Sequence, residues 1–193
     1  IVTLATMTIF RGATLVYTDG RPIAGQRDNF IFAFLGRGKV FGIPFQVILF
    51  AIIFILLLIL LKKTSLGRKV YAVGGNEKAS FISGINIDKV KIFVYTISGI
   101  LATISGLVLT SRLNSAQPTA GTAYEMDAIA AVVLGGTSMT GGSGSLVGTL
   151  IGILILGVLN NGLNLLGVSS FYQQIVKGVV ILLAVLVDRK RNK

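Results

Sequence analysis

The chain has 193 residues, 53% of them apolar and 13% charged, with no Cys, His or Trp. A soluble domain carries about 25% charged residues, and a 20.4 kDa core cannot hide this apolar excess behind so few charges. The missing Cys and His exclude disulfide frameworks, thiol nucleophiles, zinc sites and imidazole acid–base catalysis. What remains is a basic membrane protein of net charge +11 and mean hydropathy +0.83.

Residues 2–18 have the composition of a membrane span, interrupted by Arg11. They start in mid-pattern without a basic n-region, so they do not read as a signal peptide; the expectation is the carboxy-terminal part of something longer, without its amino-terminal spans. Residues 19–44 read as a connecting segment. The clearest span is 45–61, FQVILFAIIFILLLILL, closed by Lys62 and Lys63; its residues reach about 25 Å, close to the ~30 Å of a bilayer core. Further spans are expected at 92–110, 146–168 and 171–187. Between them, residues 128–145 read AIAAVVLGGTSMTGGSGS, a short apolar run followed by a Gly-rich break.

Charge sets the expected topology. Of 18 cations, seven fall within 62–91 and four in the tail at 189–193. They flank apolar spans instead of forming a basic strip, which argues against nucleic acid and for the positive-inside rule. With both stretches cytoplasmic, span 45–61 runs inward, 92–110 runs outward, and 111–127 is external. One more crossing is then needed within 128–145. Irregular backbone at membrane depth survives only where protein or a watery cavity surrounds it, so this broken element belongs inside a bundle, beside a pathway. The fold class expected is all-α: a single polytopic transmembrane helix bundle with a broken, re-entrant Gly-rich element.

Small residues recur at four-residue spacing, Ser98, Ala102 and Gly106 on one span and Gly144, Gly148 and Gly152 on another; such rows let helices approach closely in lipid. The run from Gly135 and Gly136 through Gly141, Gly142 and Gly144 lacks the Gly-Lys-Ser/Thr ending of a Walker A loop, and its spacing misses the dinucleotide fingerprint. It reads as a tight corner between helices. The segment 66–91, LGRKVYAVGGNEKASFISGINIDKVK, has more pattern than a positive-inside loop needs. It predicts a turn at Gly74, Gly75 and Asn76, a short amphipathic helix over 77–82, and a stop at Ser83 and Gly84, a shape suited to docking in a partner's groove.

Candidate pathway residues follow from the cost of polar groups inside a span. Asn160, Asn161 and Asn164 cluster on the third full span, with Gln173 and Gln174 opposite on the fourth. Amides both donate to and accept from sugar hydroxyls; interhelical hydrogen bonding is the competing role. Lys177 either snorkels to the outer interface or pairs with Glu125 or Asp127, and Arg11 has the same two options.

Over nearly its whole length the chain resembles the permease subunits of ABC importers for ribose, xylose and related sugars. The resemblance is densest in TMTIFRG (6–12), GRKVYAVGGNEKASFISGI (67–85), YEMDAIAAVVLGGTSMTGGSGSLVGTLIG (124–152) and LNNGLNLLGVSSFYQQIVKGVVILLAV (159–185). It implies that residues 76–85 form a cytoplasmic coupling helix docking on a separate ATPase. The contact set would be Gly74, Gly75, Asn76, Glu77, Lys78, Ala79, Ser80, Gly84 and Ile85. The general importer motif, Glu-Ala-Ala followed three residues later by Gly, aligns Lys78, Ala79 and Ser80 before Gly84, with Glu77 one position early. It further implies a second permease copy or close paralogue, an extracytoplasmic sugar-binding protein, ATP and Mg held by the ATPase and none by this chain, and a bacterial inner-membrane location.

Permeases for branched-chain amino acids or nucleosides are the near alternatives; they look less like this chain at 74–77 and 125–130. From another class, an autonomous secondary transporter calls for intramembrane acids, and only Glu125 and Asp127 approach a span. A purely structural membrane subunit would need no broken element.

Overall fold

The computed structural model describes residues 1–25, 30–169, 171–176, 178–180 and 182. Arg27, Asp28, Lys177, the end of the fourth expected span and the basic tail at 189–193 lie outside the described residues. The chain divides into two compact units, Ile1–Ile59 with Lys91–Ala120, and Leu60–Val90 with Gly121–Lys193. Among the described residues, three helices are long and apolar enough to cross a membrane.

The first unit opens with α1 (Val2–Thr18), none of whose residues is buried. Its connecting segment is more ordered than the sequence suggests. Strand β1 (Ile23–Ala24) is followed by α2 (Phe30–Arg37) and by a hairpin of β2 (Lys39–Val40) and β3 (Ile43–Pro44). Phe41 and Gly42 turn that hairpin with φ of 51° and 81°, the backbone that a tight two-residue connection requires. Next comes α3 (Phe45–Lys63), apolar all round, as suits a helix surrounded by lipid or other helices. Lys62 and Lys63 in its last turn meet the negative end of the helix dipole.

Helix α6 (Ile87–Leu113) contains the expected span 92–110 and extends it at both ends. At about 40 Å it overshoots a hydrocarbon core. Asn86 starts it, its side-chain oxygen accepting from the Lys89 amide at 3.0 Å. At the other end, β4 (Ser115–Ala116) pairs antiparallel with β1, Ile23 opposite Ala116 and Ala24 opposite Ser115. Ser111 is fully buried and donates to the Phe32 carbonyl, while Gln46 donates to that of Gly36. A side chain at Gly36 would strike the backbone of Ser111 and Arg112.

The second unit holds α4 (Ser65–Gly75), α5 (Glu77–Ile82), α7 (Tyr124–Leu134) and α8 (Leu146–Leu165). Its apolar core is Ala130, Ala131 and Leu156, where α7 meets α8. Residues 171–176 are helical as well. One expectation needs correcting here. Gly74 and Gly75 are not a turn but the last residues of helix α4, and the break falls at Asn76 alone.

Candidate functional site

Each end of α5 is held by a specific device. The Asn76 side chain accepts from the Ala79 amide at 3.0 Å, satisfying a donor the first turn leaves free, and Glu77 places negative charge at the positive end of the helix. At the other end Ile85 N–H reaches the Ser80 carbonyl at 3.0 Å and Gly84 N–H that of Phe81 at 2.9 Å. This is a Schellman stop, which needs a left-handed residue, and Gly84 supplies it with φ 79°. The helix so bounded buries Ser80 and presents Phe81 and Ile82, 71% and 85% exposed. Lys78 and Ala79 are exposed as well. Two large apolar side chains on a short polar helix are a docking surface in form.

The Gly-rich corner lies against α4. A Cβ at Gly142 would stand 2.7 Å from the Gly75 Cα, and one at Gly141 would strike the Gly74 carbonyl. Both residues have positive φ, 90° at Gly141 and 76° at Gly142, so glycine is required twice over. Beside this contact the Tyr71 hydroxyl donates to the Gly144 carbonyl at 3.1 Å. A cavity of about 390 Å³ opens between them, walled by Leu61, Val70, Tyr71, Val132 and Thr149. Ser138 N–H donates to the Ser143 carbonyl at 3.0 Å, closing the corner on itself.

Above the corner α7 and α8 run in backbone contact. A side chain at Gly148 would strike the carbonyl of Gly135, and one at Gly152 that of Ala131. Gly144 instead faces the Thr137 side chain, whose Cγ2 would lie 2.6 Å from an added Cβ. Helix α7 ends in a second Schellman stop at Gly136, φ 81°, with Thr137 N–H donating to the Val132 carbonyl at 3.1 Å. Gly106, in the other small-residue row, has nothing within 4 Å of an added Cβ.

The five amides separate into different environments. Gln173 Nε2 donates to Asn164 Oδ1 and to the Val168 carbonyl, each at 2.8 Å, which is the interhelical role. Asn160 Oδ1 is buried without a hydrogen-bond partner. Asn161 and Gln174 are exposed. Arg11 is half-buried midway along α1, and Glu125 and Asp127 stand in the first turn of α7.

One cluster escapes sequence reading. In the first unit Arg37 and Arg112 share an open cavity of about 700 Å³ with Pro22, Gly25, Asn114 and Ser115, and Arg37 Nε donates to the Ser111 carbonyl at 3.5 Å. The two arginines are far apart in the chain and are brought to one cavity by the packing of Gly36 against Ser111 and Arg112, a long-range contact that leaves no local trace.

Long apolar helices with open faces, a half-length helix broken by glycines, and a short capped helix offering apolar side chains define a polytopic helical membrane protein. Residues 1–185 match the family model described as the permease component of the branched-chain amino acid transport system, and the chain belongs to that family. It is 62% identical over 192 residues to the Ribose import permease protein RbsC of Bacillus subtilis, covering all of this chain and 60% of that protein. Identity to the Escherichia coli K12 protein of the same name is 58%, over all of this chain and 60% of the relative. To the Xylose transport system permease protein XylH of Haemophilus influenzae it is 46%, over 84% of this chain and 45% of the relative. The chain thus spans about 60% of the length of the ribose permeases it matches. No solved structure matches it.

Proposed function

We infer that this chain is part of the membrane-spanning subunit of an ABC importer and forms, with a second permease copy, the passage for a ribose-like monosaccharide. The observation that carries the reading is the 62% identity to a ribose import permease over 192 residues. Relatives named for xylose fall to 46% and for L-arabinose to 42%, and this gradient favours ribose over these other sugars.

In this reading α5 is the coupling helix. Phe81 and Ile82 dock on an ATP-binding subunit, which holds ATP and Mg and performs the hydrolysis, so the present chain couples and gates without making or breaking a bond. Residues 62–91 then face the cytoplasm of a bacterial cell, in the inner membrane, and an extracytoplasmic binding protein delivers the sugar from the other side. Asn160 is the amide whose buried oxygen has an acceptor position to offer a sugar hydroxyl, whereas Asn164 and Gln173 are bonded to each other. The test is reconstitution of the full-length permease with its ATPase and binding protein in liposomes. Ribose-loaded binding protein is expected to stimulate ATP hydrolysis and uptake of labelled ribose, with xylose, L-arabinose and leucine competing poorly. Uptake by the permease without any ATPase would sink the reading.

A further inference from the structure

We propose that Tyr71 and the backbone contact of Gly74 and Gly75 with Gly141 and Gly142 carry the movement of α5 to the α7–α8 corner. The proposal rests on α5 being the ATPase contact, as inferred above. A coupling helix at the end of a loop would be expected to act on the spans covalently attached to that loop, α3 and α6. The packing supplies a second route that no chain connection provides.

Three observations carry it. The approach of Gly142 to Gly75 leaves no room for a methyl group, since a Cβ would stand 2.7 Å from the Gly75 Cα. Nothing softer than main chain lies between the two elements there, so displacement of one is resisted directly by the other. The Tyr71 hydroxyl fixes the register by donating to Gly144, at 3.1 Å. Gly144 directly precedes Ser145, which starts α8 by accepting from the Gly148 amide at 3.4 Å. Finally, α4 and α5 are separated only by Asn76, whose N–H still bonds to the Ala72 carbonyl at 3.0 Å, so α5 has little freedom to move without α4. A push on α5 therefore reaches the α8 N-terminus through Tyr71 and reaches the α7 end through the glycines. Tyr71 is a positioning residue in this scheme and touches neither sugar nor nucleotide.

The test uses the full-length permease reconstituted with ATPase and binding protein. Tyr71→Phe removes the hydrogen bond and keeps the ring; Gly142→Ala forces the backbones apart. Both are expected to assemble and to hydrolyse ATP at the basal rate. Stimulation by ribose-loaded binding protein should fall by about fivefold or more, and sugar moved per ATP should fall with it, a split that a merely structural defect would not produce. In parallel, spin labels at Ala72→Cys and Thr140→Cys, both exposed positions in a chain without cysteine, report whether the two elements travel together. Their separation is expected to stay within about 2 Å between the nucleotide-free and nucleotide-trapped states. A larger change, or full stimulation in both variants, overturns the transmission. A wild-type complex that loaded binding protein fails to stimulate overturns the importer reading itself, and the transmission with it.

Discussion

At the scale of single residues, the glycines of the α4–α5 segment and the corner differ in why they are glycine. Gly84 adopts φ 79° with nothing within 4 Å of an added Cβ, so its substitution is a matter of backbone strain alone. Gly84→Val is expected to destabilise α5 by about 1–2 kcal/mol, and Gly84→Asn by visibly less, because asparagine tolerates the left-handed region. Capture of the ATPase subunit by the permease should follow the same order, and equal capture by both variants would mean that α5 is not the docking element. Asn160 offers the complementary case. A buried carbonyl oxygen without a partner costs about 1–3 kcal/mol, so Asn160→Leu should leave thermal stability in detergent unchanged or raised. If the oxygen serves passing sugar, ribose uptake falls by roughly tenfold, equivalent to about 1.4 kcal/mol. Asn164→Leu has the opposite profile: it removes one of the two acceptors of Gln173 Nε2 and leaves the Val168 carbonyl, so stability falls slightly and uptake holds. Both positions were legible in sequence as polar groups in an apolar span. Which of the five amides is already satisfied was not, because that depends on the approach of residues 171–176 to the end of α8.

At the scale of elements, legibility follows the range of the forces involved. The apolar run of α3 and the Lys pair that ends it are local, and the helix is found where composition puts it. Helix α5 is likewise written in its own caps, Asn76 before it and Gly84 after it. Helix α4 was not legible at its end, because Gly74 and Gly75 are poor helix formers and read as a turn; their small size serves the backbone of Gly141 and Gly142, a long-range contact. The same holds for residues 19–44, where β1 pairs with a strand on the far side of α3 and α6 in sequence. Helix α8 carries glycines of both kinds, and this yields a direct test. Gly148→Ala and Gly152→Ala drive a methyl group into the carbonyls of Gly135 and Ala131 and should destabilise the subunit by about 1–3 kcal/mol, the usual range for overpacking. Gly157→Ala, with open space around it, should stabilise it by nearly 1 kcal/mol through helix propensity. Thermal unfolding of the solubilised protein separates the two classes.

At the scale of the whole molecule, the strongest constraint on topology comes from packing and not from charge. The positive-inside argument rests on a net +5 over 62–91 against +2 over 19–44, a bias in one direction but a modest one. The contact of Gly141 and Gly142 with Gly74 and Gly75 is stricter, since two backbones in van der Waals contact lie on one side of a membrane. Wherever α4 sits, the corner at 138–144 sits beside it. On the topology expected from charge, the 27-residue α6 carries the chain outward, residues 114–123 are external, and α7 has to begin the return. Eleven residues rise about 16 Å, half of a hydrocarbon core. The remaining depth of that crossing would fall to the irregular residues beside α7, whose backbone then calls for neighbouring protein around it. Single cysteines in this cysteine-free chain decide the point. With a membrane-impermeant maleimide applied to the outer face, Gln117→Cys should react, while Lys78→Cys and Thr140→Cys should react only after the inner face is opened. A hairpin that dips into the membrane and returns would expose Thr140→Cys together with Gln117→Cys, and that result would also remove the corner from reach of α5.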